Sequence, residues 1–392
     1  MKTADTRTFA VMAKPVGAAC NLRCAYCYYL EKTALLGRKC GVMQDAVLET
    51  YTSQTIDMHG SDALIEFAWH GGEPMLAGMA FYQRALELQK RYGLGRKMMN
   101  TLQTNATLLD DRWCVFFAQH NFLLGVSIDG DKALHDAYRM DKNGGSFDKT
   151  MRGVRLLQKH GVPFNTLTTV NAVNSAHSVE VYGFLREITD YMQFLPVVEC
   201  APAGYEQEDG QRFATPAGRN TASRSRHVMD FSVNAKAYGT FLCNLYDAWR
   251  EQDLGKKHVQ LFEATIGNML GKPSGLCVHE ALCGHSAVVE ANGDVYSCDR
   301  YVYPAYKQGN ILETPLGALM EKNRAFGMHK AYGLPHECLQ CAYIKLCFGG
   351  CPKDRLLPST DGQAGKNFLC EGYLMFFEHF TQWQIMCGAL PL

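Results

Sequence analysis

The chain has 392 residues, 47% hydrophobic and 20% charged, with 39 Lys plus Arg against 39 Asp plus Glu. That length predicts a large domain with a smaller one, and zero net charge argues against nucleic acid or an anionic membrane as the main partner. The 16 cysteines are too sparse for a disulfide scaffold; with no signal-peptide pattern in Met1 to Gly17 and no run near the ~18 apolar residues of a membrane span, the reading is a cytoplasmic protein whose reduced thiols serve metals or catalysis.

Phe9 to Val16 reads as a strand, ending on Gly17 just before a cysteine-rich stretch. Helical periodicity runs from Met43 to Asp57, and Leu64 to Trp69 reads as a buried strand closed by His70-Gly71-Gly72-Glu73-Pro74. The alternation continues with a helix from Ala77 to Tyr92, a strand from Lys97 to Thr104, and a helix from Asp110 to His120 with Asp110 as its N-cap. A strand from Phe122 to Ile128, a helix from Phe147 to His160 and a strand from Pro163 to Val170 follow, then a helix from Val179 to Ile188 and a strand from Tyr191 to Val198. Six strands alternating with helices predict a parallel sheet, and polar or glycine punctuation recurs at strand C-termini, where (β/α) barrels build their sites. Six units suggest an open, partial (β/α)6 TIM-type barrel. Cys200 to Met229 has neither period and reads as a long surface loop; Val233 to Arg250 is an amphipathic helix. From Lys272 the cysteine density rises and loops are expected until about Tyr373. The expected division is 1–232 barrel, 233–271 helical connection, 272–375 cysteine-rich domain and 376–392 tail.

The stretch Cys20-Asn21-Leu22-Arg23-Cys24-Ala25-Tyr26-Cys27 has the spacing C-x3-C-x2-C. Three thiolates can hold three irons of a [4Fe–4S] cluster and leave the fourth open, whereas an electron carrier normally uses four cysteines. A zinc knuckle or three unconnected thiols are the alternatives. With Tyr26 between the last two cysteines, the loop resembles that of the radical S-adenosylmethionine (radical SAM) superfamily. The resemblance implies that SAM chelates the open iron and is cleaved to a 5′-deoxyadenosyl radical. It assigns SAM contacts to Tyr26, to Gly72 (methionine amino group), to Ser127 and Arg139, and to Val198 (adenine). Read locally, Gly71-Gly72 is a tight turn, Ser127 a strand end and Arg139 a surface cation.

The C-terminal third carries Cys277, Cys283 and Cys298, then Cys338, Cys341, Cys347, Cys351 and Cys370. Eight thiolates suit two fully ligated [4Fe–4S] clusters, and equally two four-cysteine zinc sites. The pattern resembles the SPASM domain, which implies a nearer cluster on Cys277, Cys283, Cys298 and Cys351 and a farther one on Cys338, Cys341, Cys347 and Cys370, three [4Fe–4S] clusters in all. Of the other cysteines, Cys114 and Cys243 read as core, and Cys40, Cys200 and Cys387 suggest no chemistry.

Leu102-Gln103-Thr104-Asn105-Ala106-Thr107-Leu108, Val126-Ser127-Ile128-Asp129-Gly130 and Gly293-Asp294-Val295-Tyr296-Ser297-Cys298-Asp299 narrow the resemblance to anaerobic sulfatase-maturating enzymes, from about Val11 to Phe377. Ala106 stands where that family usually has glycine, and Asp131 where it usually has proline. The resemblance implies oxidation of a cysteine or serine in an unfolded or nascent sulfatase (Cys/Ser-x-Pro/Ala-x-Arg) to Cα-formylglycine. The radical takes a hydrogen atom from Cβ, the nearer cluster accepts the electron, and Asp299 is the base. Read locally, Asp299 orients a cluster ligand. A reductant such as flavodoxin or ferredoxin is expected. The same parts would serve thioether formation or epimerisation in another peptide, and a zinc-stabilised binding module remains the non-catalytic alternative.

Overall fold

The computed structural model describes residues 10–35, 41–201, 213–216 and 227–386. Phe9, Cys40, Cys387, most of the 200–229 stretch and the end of the expected tail lie outside these residues. Six strands carry the N-terminal half: β1 (Ala10–Ala13), β2 (Ile65–Trp69), β3 (Met98–Thr104), β4 (Phe122–Ser127), β5 (Phe164–Val170) and β6 (Tyr191–Pro196). Between them run α1 (Asp45–Asp57), α2 (Met79–Gly93), α3 (Asp111–Gln119), α4 (Phe147–His160) and α5 (Ser178–Arg186). Neighbouring strands pair in parallel and in sequence order. Ile65, Phe67 and Trp69 of β2 alternate into one core with Leu102, Leu124, Tyr82 and Phe117. Each such side chain contributes about 1.5–3 kcal/mol by leaving water. Asp110 caps α3, its Oδ1 accepting the Trp113 N–H at 2.8 Å.

The sheet does not stop at six strands. After α6 (Ala235–Asp253), β7 (His258–Val259) joins β6 and leads into α7 (Gln260–Met269). At the opposite edge β8 (Ser286–Val289) pairs in parallel with β1, and β9 (Asp294–Tyr296) and β10 (Lys307–Asn310) follow antiparallel. The strand order is β7-β6-β5-β4-β3-β2-β1-β8-β9-β10. The cysteine-rich region is thus hydrogen-bonded to the barrel edge through β1.

Two sequence expectations need correction. The region expected to be loops after Lys272 contains α8 (Leu316–Tyr332) and, from Cys370, α9 (Cys370–Met386). The buried face of α8 includes Asn323, Gly327 and Lys330 beside Leu316, Leu319 and Met320, so apolar periodicity is interrupted. Those polar groups bond inward: Asn323 Nδ2 donates to the Ser286 and Ser297 carbonyls at 2.9 and 3.0 Å, and Lys330 Nζ to the Cys277 carbonyl at 2.7 Å. Nor is the 200–229 stretch wholly a surface loop. Cys200–Ala201 pairs with His227–Val228, and Phe213 is fully buried against Phe231 with its N–H donating to Glu31 Oε2 at 2.9 Å.

Helix α9 crosses the expected boundary at 375/376 and packs on α6. The two backbones meet at Gly239 and Gly372, where a Cβ on Gly372 would lie 2.2 Å from the Ala235 carbonyl oxygen. Around that crossing Tyr246, Phe262, Phe376 and Phe380 form an aromatic core. The two departures from the family pattern also have local explanations. Ala106 takes a left-handed φ of 61°, a region where glycine has no Cβ penalty. Asp131 Oδ1 caps the short helix Lys132–Asp136 by accepting the Leu134 N–H at 3.1 Å, which a proline could not do.

Candidate active site

The C-terminal ends of the strands converge on a cavity of about 370 Å³. Cys20, Cys24 and Cys27 line it from the loop after β1. Gly71 and Gly72 follow β2, Thr104 ends β3, Ser127 ends β4, Thr169 lies near the end of β5, and Val197 follows β6. Arg139, Tyr26, Cys277 and Asp299 complete the wall. Of the expected cofactor contacts, Tyr26, Gly72, Ser127 and Arg139 face this cavity. Val198 does not line it; its side chain is buried in the core with Tyr238 and Phe241, and Val197 takes the place on the wall.

The glycine pair has a structural duty first. Gly72 N–H donates to the Gly17 carbonyl at 2.9 Å and Glu73 N–H to the Ala19 carbonyl at 2.8 Å. A Cβ on Gly72 would stand 2.1 Å from the Ala19 oxygen, so only glycine lets the cysteine loop approach. Glu73 locks the turn by accepting from Met75 N–H, Asn105 N–H and Thr104 Oγ1 at 3.1, 2.9 and 2.9 Å.

Asp129, which sequence reasoning left without a role, ties the expected SAM contacts together. Its Oδ2 is 2.9 Å from Arg139 Nε and also accepts the Tyr26 hydroxyl, while its Oδ1 accepts the Thr169 N–H at 2.9 Å. Arg139 is therefore a buried, oriented cation rather than a surface one.

Across the cavity, Asp299 Oδ2 accepts the Tyr28 hydroxyl at 2.5 Å, and its Oδ1 lies 3.3 Å from Cys298 Sγ. Burial opposes ionisation of Asp299, but Lys14, the Tyr28 hydroxyl and Arg300 hold its carboxyl well below the usual carboxylate range. Lys14 and His70 were also missed. Lys14 is fully buried with Nζ 2.7 Å from His70 Nδ1 and 4.3 Å from the Tyr29 ring centroid. Burial, then the Lys14 charge, depresses His70 to about 3, so its ring is neutral. Burial also lowers Lys14, against the pull of Asp299 and Glu290. The only signal in the sequence was a lysine interrupting an apolar strand.

The C-terminal cysteines fall into two groups. Cys338, Cys341, Cys347 and Cys370 line a second cavity of about 240 Å³, walled by Tyr343, Ile344, Leu374 and Phe377. Cys298 feels the charges of Cys277 and Cys351, and Cys283 that of Cys277. Among the described residues no three His, Cys, Asp or Glu converge as ligands of one metal ion. Cys20, Cys24, Cys27 and Cys277 line the central cavity and Cys338, Cys341, Cys347 and Cys370 the second one, as the corners of polynuclear clusters require. Burial pushes Cys20, Cys24, Cys347 and Cys351 up to about 12, so their thiolates need cationic partners such as iron. The donor sets therefore fit iron–sulfur clusters. Of the remaining thiols, Cys114 is fully buried in the barrel core, Cys243 packs beside the α6–α9 core, and Cys200 is buried. Among the described residues no helix is long and apolar enough to cross a membrane.

Comparison with known proteins agrees with this geometry. Residues 15–185 match the radical SAM superfamily and residues 282–342 the SPASM iron–sulfur cluster-binding domain. The chain is 44% identical over 375 residues to a serine-type anaerobic sulfatase-maturating enzyme of Bacteroides thetaiotaomicron, covering 94% of this chain and 88% of that one. It is 32% identical to a cysteine-type enzyme of Clostridium perfringens, covering 94% and 95%. The fold superposes with a TM-score of 0.82 on native anSMEcpe with bound AdoMet and Cp18Cys peptide, at 30% identity over 96% of this chain and 98% of that one. The chain belongs to the anaerobic sulfatase-maturating enzymes, oxidoreductases of the radical SAM superfamily that use SAM and [4Fe–4S] clusters to generate formylglycine.

Proposed function

We propose that this chain oxidises a serine, and also a cysteine, of an unfolded sulfatase polypeptide to Cα-formylglycine, with Asp299 as the base. The observation that carries the assignment is the sharing of one cavity by the Cys20–Cys27 loop, Arg139 and Asp299. Serine is put first because the serine-type relative is 44% identical and the cysteine-type relative 32%. Cys20, Cys24 and Cys27 hold the SAM-binding cluster, and Tyr26, Gly72, Ser127 and Arg139 are the SAM contacts. Cys277, Cys283, Cys298 and Cys351 hold the nearer auxiliary cluster, and Cys338, Cys341, Cys347 and Cys370 the farther one. The bound groups supply hydrogen-atom abstraction from the substrate Cβ and a sink for the remaining electron.

The chain's own residues handle the proton. Going from –CH2–OH to –CH=O removes a hydrogen atom, an electron and a proton, and the proton passes to an Asp299 oxygen. Lys14 and Tyr28 keep that carboxylate ionised before the substrate arrives. Such a carboxylate is a poor base toward an intact hydroxyl. Once a hydrogen atom has left Cβ the hydroxyl is far more acidic, so deprotonation follows abstraction. Flavodoxin or ferredoxin is the proposed reductant.

The test is mass spectrometry of peptides carrying Ser-x-Pro-x-Arg or Cys-x-Pro-x-Arg after anaerobic incubation with reconstituted enzyme, SAM and a reductant. An aldehyde formed one-for-one with deoxyadenosine is expected. Deoxyadenosine without aldehyde from either peptide would contradict the substrate assignment.

A further inference from the structure

Lys353 lies two residues beyond Cys351, yet its side chain reaches the end of the barrel. Its Nζ is 3.0 Å from Glu199 Oε1, donates to the Val198 carbonyl, and lies 3.3 Å from Asp354 Oδ1. Both side chains of the Lys353–Glu199 pair are nearly buried, at 7% and 8% exposure. Glu199 is fixed from its own side, its N–H donating to Ser232 Oγ at 3.0 Å and its carbonyl accepting the Met229 N–H at 2.9 Å. The residue before these two, Val197, packs with Leu22, Cys24 and Tyr26 of the cysteine loop and faces the central cavity. The ammonium thus holds the segment after β6 through Glu199 and the Val198 carbonyl, and both of its carboxylate neighbours, Glu199 and Asp354, line the central cavity. Burial without solvent screening makes that placement stiff, because removing either partner strands the other charge.

We propose that Lys353 is a positioning residue for SAM: it fixes the end of β6 as the wall of the SAM site, so SAM affinity depends on the segment that carries Cys351. The proposal rests on the placement of SAM in the central cavity given above. It makes the cysteine-rich region part of the SAM-binding apparatus, although Lys353 does not line the cavity.

The experiment measures SAM and peptide dissociation constants by anaerobic equilibrium dialysis of reconstituted full-length enzyme. The variants are Lys353→Arg, which keeps the pair, Glu199→Gln alone, which alters a cavity-lining residue and should weaken SAM binding less than the double variant does, and Lys353→Met combined with Glu199→Gln, which removes both charges of the pair and leaves Asp354 to Arg300 at 3.8 Å. The double variant is expected to bind SAM about tenfold more weakly, a scale that small misplacements of a binding wall produce. Peptide affinity and iron content should stay within about twofold of wild type, as should SAM affinity in Lys353→Arg. Unchanged SAM affinity in the double variant, or SAM and peptide affinity falling together, overturns the proposal. Arg139→Gln separates the two claims. If it loses SAM affinity while the double variant does not, only the role of Lys353 fails; if neither loses it, the placement of SAM fails. Hydrogen exchange of the wild type needs no variant to fold: by linkage, SAM should slow exchange in the 352–355 segment, and no slowing there contradicts the coupling.

Discussion

The two cysteine-lined cavities differ in what stands opposite the thiols. In the central cavity, the three cysteines of the Cys20–Cys27 loop face Arg139, Ser127, Gln103, His70 and Asp299, with Cys277 on the wall and about 370 Å³ between them. In the peripheral cavity, four cysteines face mainly apolar side chains, Tyr343, Ile344, Leu374 and Phe377, with Glu337 and Asn367 also on the wall, around about 240 Å³. A donor set that is one short, next to oriented polar groups, leaves a cluster accessible to a ligand. A complete set walled by apolar side chains closes it, as open catalytic and closed structural zinc sites differ. The electrostatics separate in the same way. Asp299 and Arg139 are buried charges held by Lys14, Tyr28 and Asp129, whereas the charges beside the peripheral site, Lys366 and Glu337, pair at a partly exposed surface.

This contrast can be broken by mutation. The largest effect is expected from Cys24→Ala, which should abolish deoxyadenosine formation while leaving iron at the C-terminal cysteines; chromatographic assay of SAM cleavage with iron analysis checks it. Gly72→Ala comes next. Its Cβ would press on the Ala19 oxygen at 2.1 Å, so we expect about 1–3 kcal/mol of destabilisation and loss of iron from the Cys20–Cys27 loop, read by calorimetry and electron paramagnetic resonance. Cys347→Ala, in the peripheral cavity, should lower iron content yet change SAM affinity by less than about twofold, because the sites are separate; a large loss of SAM binding would erase the distinction between the cavities.

The smallest effect concerns Glu290, buried beside the central site. Tyr29 donates to its Oε1, its Oε2 has no hydrogen-bond partner, and burial raises its carboxyl to about 7 from an ordinary value of 4.5. The stability it contributes is therefore complete below pH 4.5 and is lost as pH rises through 7. The loss is bounded at roughly 3 kcal/mol by linkage, so Glu290→Gln should flatten the decline in melting temperature over that window.

The barrel was legible because β2 and β4 are mostly apolar, β3 and β5 carry apolar residues among polar ones at strand length, each ends on a polar or glycine stop, and helical patterns alternate with them. The cysteine groups were legible through spacing and resemblance. Helix α8 was not, because its buried face uses Asn323, Gly327 and Lys330 to satisfy backbone carbonyls instead of an apolar stripe. The buried charges were invisible for a related reason. Lys14 meets His70 across 56 residues and Lys353 meets Glu199 across 154, and a charge reads as surface until its partner is known. At the end of β6 the cavity is lined by Val197 and Glu199, on either side of Val198, whose side chain is buried in the core.

The most direct test of the account is the stoichiometry of products in Asp299→Asn with the serine peptide. Deoxyadenosine and formylglycine peptide would be quantified in one anaerobic reaction, with iron content measured on the same sample. The account predicts wild-type iron and continued deoxyadenosine formation, with aldehyde reduced by at least about 10²-fold, the lower end of what a positioned base contributes. Aldehyde formed one-for-one with deoxyadenosine in that variant would contradict the assignment of Asp299 as the base.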